Sequence, residues 1–268
     1  MYVPKLDKMK FEIIEANKDG YKISLKNSFY KIPIYLNETS RYILDLVNGK
    51  NSIEAIERKI QKKYTNVTEA KIKQDLLKAF LLFYNLRIVD WVNKNPYFDK
   101  LSYKETDILF YNVHNMDELI LHKTDYCSPY KDISVFFNRE LLEFQTMNGQ
   151  IHFFAIKQKN NKIFEVGIAP NIVESTLEII YMHKMKDISI DIVNHCFDWL
   201  ANVINTYYLA NDIEDCKDTR IVLYTTSKRM PFNCEELSIL KFTYAGRLER
   251  EFSYGDMDIF IRSISINE

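Results

Sequence analysis

Three capped helical periods follow one another between Asn37 and Phe83, and they constrain the fold more than anything else in the chain. Asn37 stands before a run in which Tyr42, Ile43, Leu46 and Val47 share one helical face, and Asn48-Gly49 ends that run. Ser52 opens a second run with Ile53, Ile56 and Ile60 inward. Thr68 opens a third with Ile72, Leu76, Ala79, Phe80 and Phe83. Each leading side chain carries an oxygen that accepts from an unpaired amide of the first turn, and each run repeats at helical spacing.

Short half-apolar runs precede the helices. Phe11-Glu-Ile-Ile-Glu and Tyr21-Lys-Ile-Ser-Leu flank Asn17-Lys-Asp-Gly20, and Asp-Gly between such runs signals a hairpin. Phe29–Leu36 reads as a third strand. Pro33 within it lacks a backbone donor, so an edge position is expected. Ile88–Trp91 reads as a short closing strand. Three strands, three helices and a return strand predict a winged helix-turn-helix over residues 1–92.

The stretch Leu36-Asn-Glu-Thr-Ser-Arg-Tyr-Ile-Leu-Asp-Leu-Val-Asn-Gly-Lys-Asn-Ser-Ile-Glu-Ala-Ile56 resembles the PqqD-like family, whose members bind the leader segment of ribosomally made precursor peptides. The resemblance implies that a leader adds as a strand beside the third strand and packs against the third helix. The contacts would come from Phe29, Tyr30, Lys31, Ile32 and Ile34 on the edge, and from Lys73, Leu76, Phe80 and Phe83 on the helix. A bare edge supplies unpaired amides and carbonyls for such an addition. For Leu76 and Phe80 an ordinary core role is the competing reading. A winged helix can also read DNA. Here the third helix offers Lys71, Lys73, Gln74 and Lys78 beside Glu69 and Asp75, without arginine, and this reads against nucleic acid. Residues 1–92 carry 17 Lys/Arg against 11 Asp/Glu, a surplus of six, while the whole chain is at −1, leaving −7 for the remainder. That asymmetry suits an anionic partner for the first part, and equally an unremarkable surface.

The polar, Pro-bearing stretch 93–104 is the expected linker, with a second domain over 105–268. Asp107–Val113 reads as an isolated strand. Ile151–Gln158 and Ile163–Ala169 form a hairpin about Lys159-Asn-Asn-Lys162. From Ile151 the order is β-β-β-α-β-α-β-β, with a long helix over Ile188–Tyr208. Thr243-Tyr-Ala-Gly-Arg-Leu-Glu-Arg-Glu-Phe252 followed by Asp256-Met-Asp-Ile-Phe-Ile-Arg262 resembles the last strand pair of the GNAT N-acyltransferases. That resemblance implies an acyl-CoA or acyl-carrier-protein donor, with its pyrophosphate held on amides at the start of the long helix. Lys186-Asp-Ile-Ser-Ile-Asp191 lies there, so Lys186 and Ser189 are the candidate cofactor contacts. Ser189 and Asp191 stand where the family has glycines, and an Asp anion repels phosphate, so weak CoA binding is expected. Glu178 takes the general-base position and Tyr244 is a candidate proton donor. Their competing readings are a solvated strand carboxylate and a packing tyrosine.

The fold class expected overall is α+β: a winged helix-turn-helix followed by a GNAT-like mixed sheet flanked by helices. No run of 18 apolar residues and no signal-peptide pattern exists, so a cytoplasmic protein without a membrane partner is expected. Cys127, Cys196, Cys216 and Cys234 are scattered, and His183 and His195 are isolated, which gives no metal-ligand spacing. The composite reading is an accessory protein of ribosomal-peptide maturation that presents a captured precursor for N-acylation. The alternatives are a catalytically silent scaffold for other maturation enzymes and a DNA-binding regulator.

Overall fold

The computed structural model describes residues 2–26, 28–92, 101–102, 107–113, 116–119, 126–128, 138–171, 176–185, 188–210, 220–226, 231–252 and 255–263. The chain divides into two compact units. The first comprises Met1–Asp99, Glu143–Gly149 and Ala210–Asp212; the second comprises Lys100–Leu142, Gln150–Leu209 and Ile213–Glu268. Of the expected linker, residues 101–102 are described, and they form a strand of the second unit.

The first unit runs β1 (Pro4–Leu6), β2 (Phe11–Asn17), β3 (Gly20–Leu25), β4 (Ile34–Asn37), α1 (Glu38–Leu46), α2 (Ile53–Lys63), α3 (Glu69–Asn85) and β5 (Val89–Trp91). The three helix starts are set by the side chains singled out above. Asn37 accepts from the Ser40 amide at 2.9 Å, Ser52 from Ala55 at 3.2 Å and Thr68 from Lys71 at 3.3 Å. Ile23, Leu36, Ile43, Ile56, Phe80 and Phe83 are buried together with Ile88 in the unit's apolar interior. Strands β2, β3 and β4 form an antiparallel sheet in that order, which leaves β4 at an edge.

Three features differ from the sequence expectation. The third strand begins at Ile34, so Phe29, Tyr30, Lys31 and Ile32 precede it rather than belong to it. Pro33 withholds a ladder donor at its start. The return strand β5 pairs with β1, an element the sequence did not announce, and not with the three-stranded sheet. Finally, the β2–β3 turn is Lys18-Asp19, held by the Asn17 side chain, which accepts from the Asp19 and Gly20 amides at 3.0 Å each. Gly20 serves close approach instead: a Cβ there would lie 1.9 Å from the Leu36 carbonyl oxygen of β4.

Helix α3 ends as the later helix Cys234–Ile239 does, on a non-glycine residue in the left-handed region (Arg87 at φ 61°, Lys241 at φ 59°). The Arg87 amide donates to the Tyr84 carbonyl at 2.9 Å and the Ile88 amide to that of Phe83 at 3.1 Å. These are the two bonds of a Schellman ending, whose left-handed residue is usually glycine. Here it is Arg87. A side chain in that region costs roughly 1–2 kcal/mol.

The second unit is built on a large mixed sheet. Its elements are β6 (Leu101–Ser102), β7 (Ile108–Asn112), β8 (Tyr126–Cys127), the start of α4 (Arg139–Met147), β9 (His152–Gln158), β10 (Asn161–Asn171), β11 (Thr176–Lys184), α5 (Ile190–Ala210), β12 (Arg220–Thr225), α6 (Cys234–Ile239), β13 (Thr243–Phe252) and β14 (Gly255–Ser263). The order from β9 onward is the one read from the sequence. Among the described residues the sheet runs β13-β14-β12-β11-β10-β9-β7-β6. The β9–β10 hairpin turns on Lys159 and Asn160, at φ 48° and 69°, which is the handedness that two-residue hairpin loops require.

Alternation along the strands divides the core into two layers. On one face α5 lays Phe197 against Phe164 and Phe242, and Trp199 against Phe110 and Phe154. Arg262 is buried on that face; it donates to Asn194 at 2.8 Å and to the Leu240 carbonyl at 3.0 Å, and pairs with Asp198. The opposite face holds a second apolar cluster that includes Tyr111, Val113, Leu119, Phe153 and Tyr181.

Candidate functional site

In the first unit the residues expected to hold a peptide separate into three environments. The outer edge of β4 has no strand partner among the described residues. Beside it, Ile32 is 59% exposed and Tyr35 57% exposed. Lys73 is exposed on α3, bound to Glu69 at 2.6 Å and to Glu57 at 3.8 Å. The hydrogen bond that it donates to Glu69, with the charges of the Glu69 and Glu57 carboxylates, holds its ammonium pKa above the ordinary lysine value. Leu76 lines a cleft of about 100 Å³ with Ile43, Ile60, Tyr64, Val67 and Ile72. Phe80 and Phe83 are fully buried, ring against ring at 6.3 Å, with Trp91 5.7 Å from Phe80. As placed, these two phenylalanines are core and do not line an open groove. Helical spacing put them on the same face as Leu76, but burial depth along that face is a tertiary property.

Phe29 and Tyr30 have a different partner, which the sequence did not reveal. Glu143, from α4, is 2% exposed. One of its carboxylate oxygens accepts from the Phe29 amide at 2.5 Å, the Ser28 hydroxyl at 2.9 Å and the Tyr30 amide at 3.1 Å. Its other oxygen faces the Arg87 guanidinium at 3.1 Å. The ring of the next residue, Phe144, lies 5.1 Å from that of Tyr30. A local signal for α4 existed in Asn138, whose side chain accepts from the Leu141 amide at 3.1 Å as an N-cap does. Nothing local announced where Glu143 would bind.

In the second unit, β11 and β12 are parallel neighbours joined through α5. They share the pairs Thr176–Arg220, Leu177–Ile221 and Glu178–Val222. Beyond Glu178 the edge of β11 pairs instead with β8, through Tyr181–Cys127 and Met182–Tyr126. The Ser128 amide donates to the Ile180 carbonyl at 2.9 Å, and the buried Ser128 hydroxyl donates to Glu178. Glu178 is thus half-buried and tied to a serine. Ser189 is exposed just before α5, and its carbonyl accepts from Ile192 at 3.1 Å and Val193 at 3.4 Å. Lys186 lies outside the described residues.

Glu178 and Tyr244 are not brought together. Glu178 stands in one row with Val222, Ile261 and Thr243, whereas Tyr244 is level with Phe260 and Leu223, one residue further along each strand. Successive side chains point to opposite faces. The two therefore lie on opposite sides of the sheet, and three strand spacings, roughly 14 Å, separate their strands. Tyr244 is 58% exposed and packs edge-on against Phe260 at 5.7 Å. Among the described residues no group of acids, histidines or cysteines is arranged to hold a metal ion, and no helix is long and apolar enough to cross a membrane.

No family model matches this chain, and no curated protein does. Among solved structures, a spermidine N-acetyltransferase mutant from Vibrio cholerae is 14% identical, with 59% of this chain and 94% of that one covered at a TM-score of 0.39. A ribosomal-protein-S5-alanine acetyltransferase from Vibrio fischeri is 12% identical over 61% and 96%, at 0.40. An apo ribosomal L7/L12 alpha-N-protein acetyltransferase is 12% identical over 65% and 99%, at 0.41.

Proposed function

We propose that this is a peptide-binding accessory protein of ribosomal-peptide maturation whose second unit has the GNAT acyltransferase architecture. The observation that carries the second half of the reading is the parting of β11 from β12 after three residue pairs. In open α/β sheets ligands bind in the crevice beyond the carboxyl ends of parallel strands, and here a donor would share that crevice with β8, which pairs with the β11 edge. Helix α5 starts at that end, so its amides and dipole favour an anionic donor such as acyl-CoA. The last strand, β14, inserts between β12 and β13, in keeping with the resemblance carried by residues 243–262. In the first unit, the open edge of β4 and the winged-helix reading of residues 1–92 support capture of a leader peptide by strand addition. Asp191 is exposed at the start of α5 and disfavours a diphosphate. A thermal shift with acetyl-CoA should therefore be small for the wild type and larger for Asp191→Gly. No shift in either would sink the donor reading.

The second reading, a silent scaffold, is favoured by one observation: Ser128 already binds the carboxylate of Glu178. A scaffold would still capture its peptide. Calorimetry of the full chain with the leader of any short precursor peptide found encoded next to it should give micromolar binding, lost in Tyr35→Pro. Specific binding of duplex DNA without leader binding would favour the regulator instead.

A further inference from the structure

We propose that Ser28, Phe29, Tyr30 and Arg87 form an exchangeable acceptor for an acidic side chain followed by an aromatic one, and that Glu143-Phe144 is its built-in occupant. The cradle is made for an anion. Two consecutive amides and a hydroxyl converge on one carboxylate oxygen while a guanidinium faces the other. Charge-assisted bonds of this kind are the strong ones, and successive amides form an anion-binding concavity.

Arg87 supplies the cation of the cradle, 3.1 Å from the second carboxylate oxygen. Glycine would end α3 without strain, yet a side chain sits in the left-handed position and its guanidinium reaches the carboxylate. The surroundings suit a peptide. Ile32 and Tyr35 are exposed along the path from the cradle to the open edge of β4, and residues 1–92 carry a surplus of six positive charges. An acidic-aromatic peptide adding to β4 would place its acid in the cradle and its ring against Tyr30, where Phe144 now lies. The inference rests on the peptide-capture reading for its biological sense; the cradle's preference for an acidic residue stands apart from it.

An internal ligand competes at an effective concentration near the millimolar range, so a free peptide is masked until the occupant is removed. The probe is a labelled peptide copying residues 139–147 of this chain, Arg-Glu-Leu-Leu-Glu-Phe-Gln-Thr-Met. Glu143→Ala in the full chain should bind it at least about tenfold more tightly than the wild type does. The same peptide with Gln in place of its second Glu should bind the variant weakly. Adding Arg87→Gly to Glu143→Ala should abolish binding without lowering the melting temperature, because the left-handed strain is relieved. Equal binding by wild type and Glu143→Ala, or unchanged binding after Arg87→Gly, overturns the proposal. Hydrogen exchange on the wild type decides the matter if Glu143→Ala does not fold. The Phe29 and Tyr30 amides should exchange at least about tenfold faster than the core amides of α3. If they exchange only with global unfolding, Glu143 is a fixed pin. Loss of leader binding in Tyr35→Pro with the cradle intact, or the reverse, separates failure of the capture reading from failure of this one.

Discussion

The outer edge of β4 and the edge of β11 beyond Glu178 present the same chemistry, a line of backbone groups able to pair with a strand. They are treated in opposite ways. The β4 edge is open among the described residues, whereas β11 is met by Tyr126 and Cys127, and Ser128 completes the match by donating to Ile180. An open edge is a hazard that proteins limit by keeping it short or marking it with proline, and β4 is four residues long with Pro33 before it. The difference teaches that the first unit leaves one short edge unpaired among the described residues, while the second pairs the corresponding edge with a strand of its own.

The sharpest way to break this comparison is to show that the wall behind β4 is an open groove after all. Phe80→Ala should cost about 3–5 kcal/mol of stability, read by denaturant unfolding of the full chain, because a fully buried ring leaves a cavity. A loss below about 1 kcal/mol would mean that the ring faces solvent or ligand. The filled edge is tested by Ser128→Pro. It removes the amide bonded to Ile180 and the hydroxyl bonded to Glu178 together, and should cost about 1–3 kcal/mol. An unchanged midpoint would show that β8 does not hold that edge.

A smaller effect concerns acid. Burial acts to raise the carboxyl pKa of Glu236, but the Lys184 ammonium and the Asn233 amide outweigh it and hold it below the usual glutamate range. With a depressed folded pKa, the stabilisation is present above the unfolded value and is lost as pH falls through the folded one. Lys184→Met should raise the Glu236 midpoint measured by NMR titration and make acid unfolding begin at higher pH. A midpoint that does not move would contradict it. The smallest effect belongs to Lys73→Glu. An exposed helix charge contributes little through its partner Glu69, so stability should barely change. Binding of an acidic leader should nonetheless weaken by about tenfold, since one favourable charge becomes repulsive. Equal leader affinity would remove Lys73 from the binding surface.

What was legible in the sequence was local. Asn37, Ser52 and Thr68 announce their helices because a cap acts on amides two or three residues away. Lys159-Asn160 announces its hairpin because turn handedness is set by the residues in the turn. The candidate sites were less legible because they depend on register and on distant partners. Glu178 and Tyr244 look like a base and an acid in chain order, yet an offset of one residue per strand puts them on opposite faces. Strand β8 has two residues, too few to show any period. Glu143 meets Phe29 from 114 residues away, and no spacing rule spans that separation.

That long reach also bears on synthesis. The first unit takes in Glu143–Gly149, so it is not complete when residue 92 leaves the ribosome. At roughly 5–20 residues per second, the missing stretch follows only after about 3–12 s. During that interval the Ser28–Tyr30 amides and Arg87 stand without their carboxylate. A nascent chain is thus in the one period of its life when an outside acidic segment meets no internal competitor, and the order of translation itself sets when the first unit is most receptive.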